Sequence, residues 1–103
     1  MDNNENQLDE TFVDKNVEEL CHLIMKSGDE KFLREFCECL FTRAERVDFA
    51  KRWQLVKEIE KGVTQREIAK KYAMSLCKIT RGSKELAKPD SAFRKMLNLL
   101  ETE

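Results

Sequence analysis

The sequence predicts an all-α fold of six short helices, and three observations carry that expectation. One proline and three glycines in 103 residues leave little room for the sharp turns that a sheet protein needs. Apolar residues recur at three- and four-residue spacing along most of the chain, the period of helices with one face turned inward. Helix-starting residues, Asp, Ser or Thr, stand just ahead of these apolar runs. The length fits a single domain with a modest core, expected over 11–103 behind a polar, disordered arm at 1–10.

The first helix is expected from about Glu10 to Lys26, with Phe12, Val13, Val17, Leu20, His22, Leu23 and Ile24 forming its stripe, and Ser27-Gly28 stopping it. Asp29 then caps a short helix reaching about Leu40, in which Phe32, Leu33, Phe36, Cys37 and Leu40 share a face. Thr42 with Glu45 spells a capping box, and a third helix follows from Arg43 to about Lys61, ended by Gly62. Thr64 with Glu67 repeats the device for a fourth helix of about two turns, Gln65 to Lys71 or Tyr72. Ser75 caps a fifth helix, from Leu76 to about Lys88, where Pro89 forces the chain out of helical geometry. Asp90 or Ser91 starts the last helix, which bears Phe93, Met96, Leu97 and Leu100. So many apolar faces exceed what one small core absorbs, which suggests that some are shared between chains.

Net charge is only −1, but it is unevenly spread. Residues 1–41 hold 4 Lys/Arg and 11 Asp/Glu, whereas residues 64–88 hold 7 and 2. A polyanion meets the local patch and not the average, so DNA remains an eligible partner. No apolar stretch approaches the roughly 20 residues that cross a bilayer, and "MDNNENQLDE" lacks the parts of a signal peptide, so a cytoplasmic chain away from the membrane is expected. Cys37 and Cys39 point apart on one helix, and Cys21 beside His22 makes an incomplete ligand set. No metal site is expected, most of the thiols are expected in apolar surroundings, and no nucleophile-base or paired-carboxylate arrangement suggests an enzyme.

The basic patch coincides with a helix-turn-helix, "VTQREIAKKYAMSLCKITRGSKEL", over about 65–88. Ala69 is small where two helices would cross and Ala73 is small in the turn, while Ile68, Tyr72, Met74 and Ile79 are apolar where the pair must pack. The first turns of a recognition helix enter the major groove, so Leu76, Cys77, Lys78 and Thr80 are candidates for base edges or flanking phosphates. Gln65 and Arg66 begin the preceding helix, where backbone N–H groups favour phosphate, and the interface is expected to run on through Ser83 and Lys84. Gly82 stands inside the second helix, where glycine costs roughly 1 kcal/mol relative to alanine, and is read as making room for a ligand.

At "TQREIAKKY" and "ITRGSKEL" the sequence resembles the tryptophan repressor family, in register from about Leu40 to Leu86 and more loosely beyond. The resemblance implies a six-helix chain interlocked with a second copy as a homodimer, binding double-stranded operator DNA under control of the corepressor L-tryptophan. Carried over position by position, it implies a ligand pocket formed by Thr42, Arg52, Arg81 and Gly82, with Cys39 and Phe41 in place of leucines common at the floor. Two guanidinium groups suit an indole ring and a carboxylate. Glu85 stands where the family typically has a small residue near the ligand's amino group. Its carboxylate is expected either to take the ligand's ammonium or to form an exposed ion pair with Arg81, four residues earlier. The implied function is a tryptophan-dependent repressor of genes for tryptophan synthesis or uptake. The alternatives are a helix-turn-helix regulator that no longer responds to tryptophan, and a helical module that docks an acidic protein.

Overall fold

The computed structural model describes residues 8–102. It contains six α-helices: α1 (Glu10–Ser27), α2 (Glu30–Leu40), α3 (Arg43–Glu60), α4 (Gln65–Tyr72), α5 (Leu76–Ala87) and α6 (Ala92–Glu101). Every one starts on a side chain that accepts a backbone N–H three residues on, from Asp9, Asp29, Thr42, Thr64, Ser75 and Ser91 in turn. Both capping boxes close: the Thr42 N–H donates to Glu45 Oε1 at 2.9 Å, and the Thr64 N–H to Glu67 Oε1 at 3.2 Å. Ser91 rather than Asp90 caps α6. Most of the arm expected at 1–10 lies outside the described residues, and Glu10 already belongs to α1.

The chain divides into two compact units between Phe41 and Thr42. The first holds α1 and α2, joined through Gly28, whose φ of 57° is the left-handed conformation that a side chain resists. Neither helix contains a buried residue. Phe12, Val17, Leu23, Ile24, Phe32 and Leu40 are all exposed, although they sit on the apolar faces that the periodicity assigned to them. The cysteines depart from expectation for the same reason: Cys21 and Cys39 are exposed and Cys37 only half-buried, because these helices have apolar faces without a core behind them. Cys77 is exposed as well, on the outer side of α5.

The second unit is organised on α3. One core cluster joins Leu55 of α3 to Ile68, Met74 and Ile79 of the α4-α5 pair, with Ile68 and Ile79 fully buried. A second joins Val56 of α3 to Leu86 and Leu97, which brings α6 against the same spine. Burying a side chain such as Ile68 contributes about 1.5–3 kcal/mol, against about 1 for a typical cap, so these clusters fix where α4 and α5 stand. Two polar links brace the arrangement. Gln54 Nε2 and the Tyr72 hydroxyl donate to Glu58 Oε2 at 2.7 and 3.1 Å, which ties α4 to α3 through a buried carboxylate. Arg94 donates with both terminal nitrogens to the two oxygens of Glu60, each at 2.6 Å, which ties α6 to α3.

Candidate ligand cleft and nucleic-acid interface

The turn between α4 and α5 is made by Ala73, the one non-glycine residue of positive φ (53°) among those described. It ends α4 abruptly and lets Ser75 start α5. Ile68 and Ile79 then pack inward, leaving the opposite faces of both helices to solvent. Gln65, Arg66, Leu76, Cys77, Lys78 and Lys84 are exposed, while Thr80 and Ser83 are half-buried. The Thr80 hydroxyl donates to Gln65 Oε1 at 3.3 Å, so these two members of the expected interface are bonded to one another and link the two helices. A shallow groove runs along the outside of α5, lined by Leu76, Cys77, Thr80, Arg81, Lys84, Glu85 and Lys88.

On its other side α5 borders a cleft of about 450 Å³ shared with α3 and α6. Three aromatic rings line it, Phe49, Trp53 and Phe93, together with Leu55, Val56 and Gly82. Its charged residues are Arg52, Lys78 and Arg81, and none of the lining residues is acidic. Flat apolar rings with convergent cations suit an aromatic ligand that carries a carboxylate. Arg52 makes no ion pair among the described residues, so its charge is not committed to the surface bridge that an exposed arginine often forms.

Three of the expected ligand residues, Arg52, Arg81 and Gly82, thus come together. Thr42 instead serves as the N-cap of α3 and does not line the cleft, while Cys39 and Phe41 belong to the end of α2 in the first unit. Glu85 also lies outside the lining. It is paired with Lys88 at 2.9 Å rather than with Arg81. The Lys88 hydrogen bond is the main reason its carboxyl titrates below the usual value, with a smaller contribution from the Arg81 charge.

Gly82 needs an account that goes beyond the one the sequence suggests. A β-carbon there would fall 2.8 Å from Leu55 Cδ2, so the glycine lets α5 approach α3 as well as opening the cleft. A helix used for packing does gain from this glycine. The aromatic lining was absent from the sequence-based site. Its signal was available, because Phe49, Arg52 and Trp53 lie at positions i, i+3 and i+4 and so share a face of α3 with the arginine.

Among the described residues no group of three or more His, Cys, Asp or Glu side chains could hold a metal, and no helix is long and apolar enough to cross a membrane. No solved structure matches the chain. A Trp operon repressor homolog from Chlamydia trachomatis serovar L2 is 40% identical over 76 residues, which cover 73% of this chain and 81% of the relative. A homolog of the same name from Chlamydia caviae is 39% identical over 83 residues, 80% of this chain and 79% of its own. The model of the family described as Trp repressor protein matches residues 15–101, which includes all of α3 to α6. On that span the chain belongs to the Trp repressor family, regulators of transcription and not enzymes.

Proposed function

We propose that the protein is a tryptophan-dependent repressor that binds operator DNA as a cytoplasmic homodimer. The observation that carries this reading is that one helix serves two surfaces. Along α5, Lys78, Arg81 and Gly82 line the cleft, while Leu76, Cys77, Thr80 and Lys84 line the groove on the outside. A ligand held between Arg52 and Arg81 bears directly on the helix that would enter the major groove. It can therefore favour one placement of that helix over another, which is the differential binding that gating requires. L-tryptophan fits the chemistry of the lining: an indole for the aromatic rings and a carboxylate for the arginines.

Homodimer formation is supported by exposed apolar surface. Among the described residues fourteen large hydrophobic side chains are exposed, against seven in the core, and they include Phe12, Val17, Leu23, Phe32, Leu99 and Leu100. Such a surplus on a chain this small needs a partner. In that dimer Cys39, Phe41 and Thr42 are proposed to complete the ligand pocket.

The test selects duplexes from a random pool with the purified chain and measures affinity for the selected DNA with and without L-tryptophan. Tighter binding in its presence, and its loss in Arg52→Ala or Arg81→Ala, supports the reading. Equal affinity with and without saturating L-tryptophan would falsify it.

A further inference from the structure

Lys78 is the third residue of α5. A cation in the first turn of a helix opposes the dipole, and α5 has no acidic residue in that turn to offset it. The counter-charge comes from another helix. Lys78 Nζ lies 3.6 Å from Oδ1 of Asp48 on α3, and the two side chains are 47% and 52% exposed. Asp48 precedes Phe49 in the chain and stands one helical turn before Arg52, both of which line the cleft. Arg52 and Arg81 form no ion pair among the described residues, so Lys78 is the cleft cation whose charge is already matched.

We propose that Asp48 is an internal competitor for the anionic group of the ligand. It holds Lys78 in the ligand-free cleft, and an aromatic carboxylate bound beside Arg52 and Arg81 gains this third cation only by displacing it. The inference rests on the reading of the cleft as a ligand site. The pair suits exchange: it is long, half in water and made through one nitrogen, unlike the bidentate Arg94 and Glu60 contact at 2.6 Å. Asp48, once released, returns to solvent on the surface of α3. Asp48 thereby sets ligand affinity without touching the ligand, as a positioning residue for Lys78.

The experiment titrates the full chain with L-tryptophan by calorimetry in wild type, Asp48→Asn, Lys78→Met and the double variant. Freeing Lys78 should tighten binding in Asp48→Asn by roughly two- to five-fold, the range of an exposed ion pair. Lys78→Met should weaken binding, and adding Asp48→Asn to it should restore nothing. Asp48→Ser repeats the test without the carbonyl that Asn could still offer to Lys78. Unchanged affinity in both Asp48 variants, or the same tightening with Lys78 absent, overturns the proposal, the latter marking a general effect of net charge. If wild type binds but shows no such coupling, the cleft reading stands and the role of Asp48 is lost. If wild type binds no L-tryptophan, the cleft reading falls and this inference with it.

Discussion

Gly82 and Leu55 meet so closely that a β-carbon on residue 82 would lie 2.8 Å from Leu55 Cδ2 and 3.4 Å from its Cγ. The contact joins α5 to α3 at the border of the cleft, since both residues line it. Leu55 is 3% exposed and packed among Ile68, Met74 and Ile79, so it can yield only toward the cleft. The same pair thus sets the spacing of α5 from α3 and shapes the surface that a ligand would meet.

Gly82→Ala should therefore destabilise the fold despite the better helix propensity of alanine. Overpacking a core costs about 1–3 kcal/mol and the propensity gain returns about 1, for a net loss of about 1 kcal/mol. Chemical denaturation measures it. Combining Gly82→Ala with Leu55→Val should cost less than the two changes summed, because the smaller side chain vacates the contested space.

Ala73→Gly should act in the opposite direction. Ala73 holds φ 53° and ψ 50°, a left-handed conformation that costs an ordinary residue about 1–2 kcal/mol. Glycine removes that strain but adds freedom to the unfolded chain, which leaves a net stabilisation of about 0.5–1 kcal/mol. A denaturation midpoint below that of wild type would show that Ala73 is not strained.

How far the fold could be read from the sequence follows from how local each determinant is. Thr42 with Glu45 and Thr64 with Glu67 act over three residues, and both boxes close as the sequence spells them. The Tyr72 and Glu58 bond spans 14 residues and the Arg94 and Glu60 contact spans 34, so neither is written in any window of sequence. Residue type did not mark them either, since glutamates and arginines are common all along the chain. The cleft was legible at its arginines through the resemblance to a family. Its rings were legible only in part: Phe49 and Trp53 share a face of α3 with Arg52, but Trp53 and Phe93 also pack on the core of Val56, Leu86 and Leu97, and an apolar stripe does not say which edge of a residue faces a cavity.

Acid should loosen the second unit. Glu58 titrates below its ordinary 4.5, chiefly through the Gln54 hydrogen bond and then that of Tyr72, against the opposing effect of burial. Glu60 is lowered chiefly by its hydrogen bonds with Arg94. A carboxyl whose folded-state value is depressed contributes stability that is fully present above 4.5 and is lost as pH falls through the folded value. Thermal stability should hold near neutrality and decline below about pH 4.5. Glu58→Gln should flatten that decline while lowering stability at pH 7, and equal slopes in wild type and variant would assign the acid sensitivity elsewhere.

Arg66 should act as a phosphate contact. It is exposed in the first turn of α4, where backbone N–H groups also favour an anion, and it makes no ion pair among the described residues. Arg66→Ala should weaken binding to selected duplexes and reduce the dependence of log affinity on log salt by roughly one unit of slope. An unaltered slope removes Arg66 from the interface.

Glu85 should prove nearly silent toward the ligand. A carboxylate near the amino group of a bound amino acid would be worth roughly 1.5–3 kcal/mol, about ten- to a hundred-fold in affinity. Yet Glu85 is held by Lys88 at 2.9 Å, on the outer groove, and does not line the cleft. To reach a ligand it would have to give up that bond, the main influence on its own titration. Glu85→Ala is therefore expected to change L-tryptophan affinity by less than about two-fold, the lower end of what an exposed charge contributes. Indole-3-propionate, which keeps ring and carboxylate but lacks the ammonium, provides the second arm. Its affinity relative to tryptophan should be the same in wild type and in Glu85→Ala, because no contact to the ammonium has been removed. A ratio that shifts toward the analogue in the variant would mean that Glu85 leaves Lys88 for the ligand, and that the cleft recognises both charges of a free amino acid.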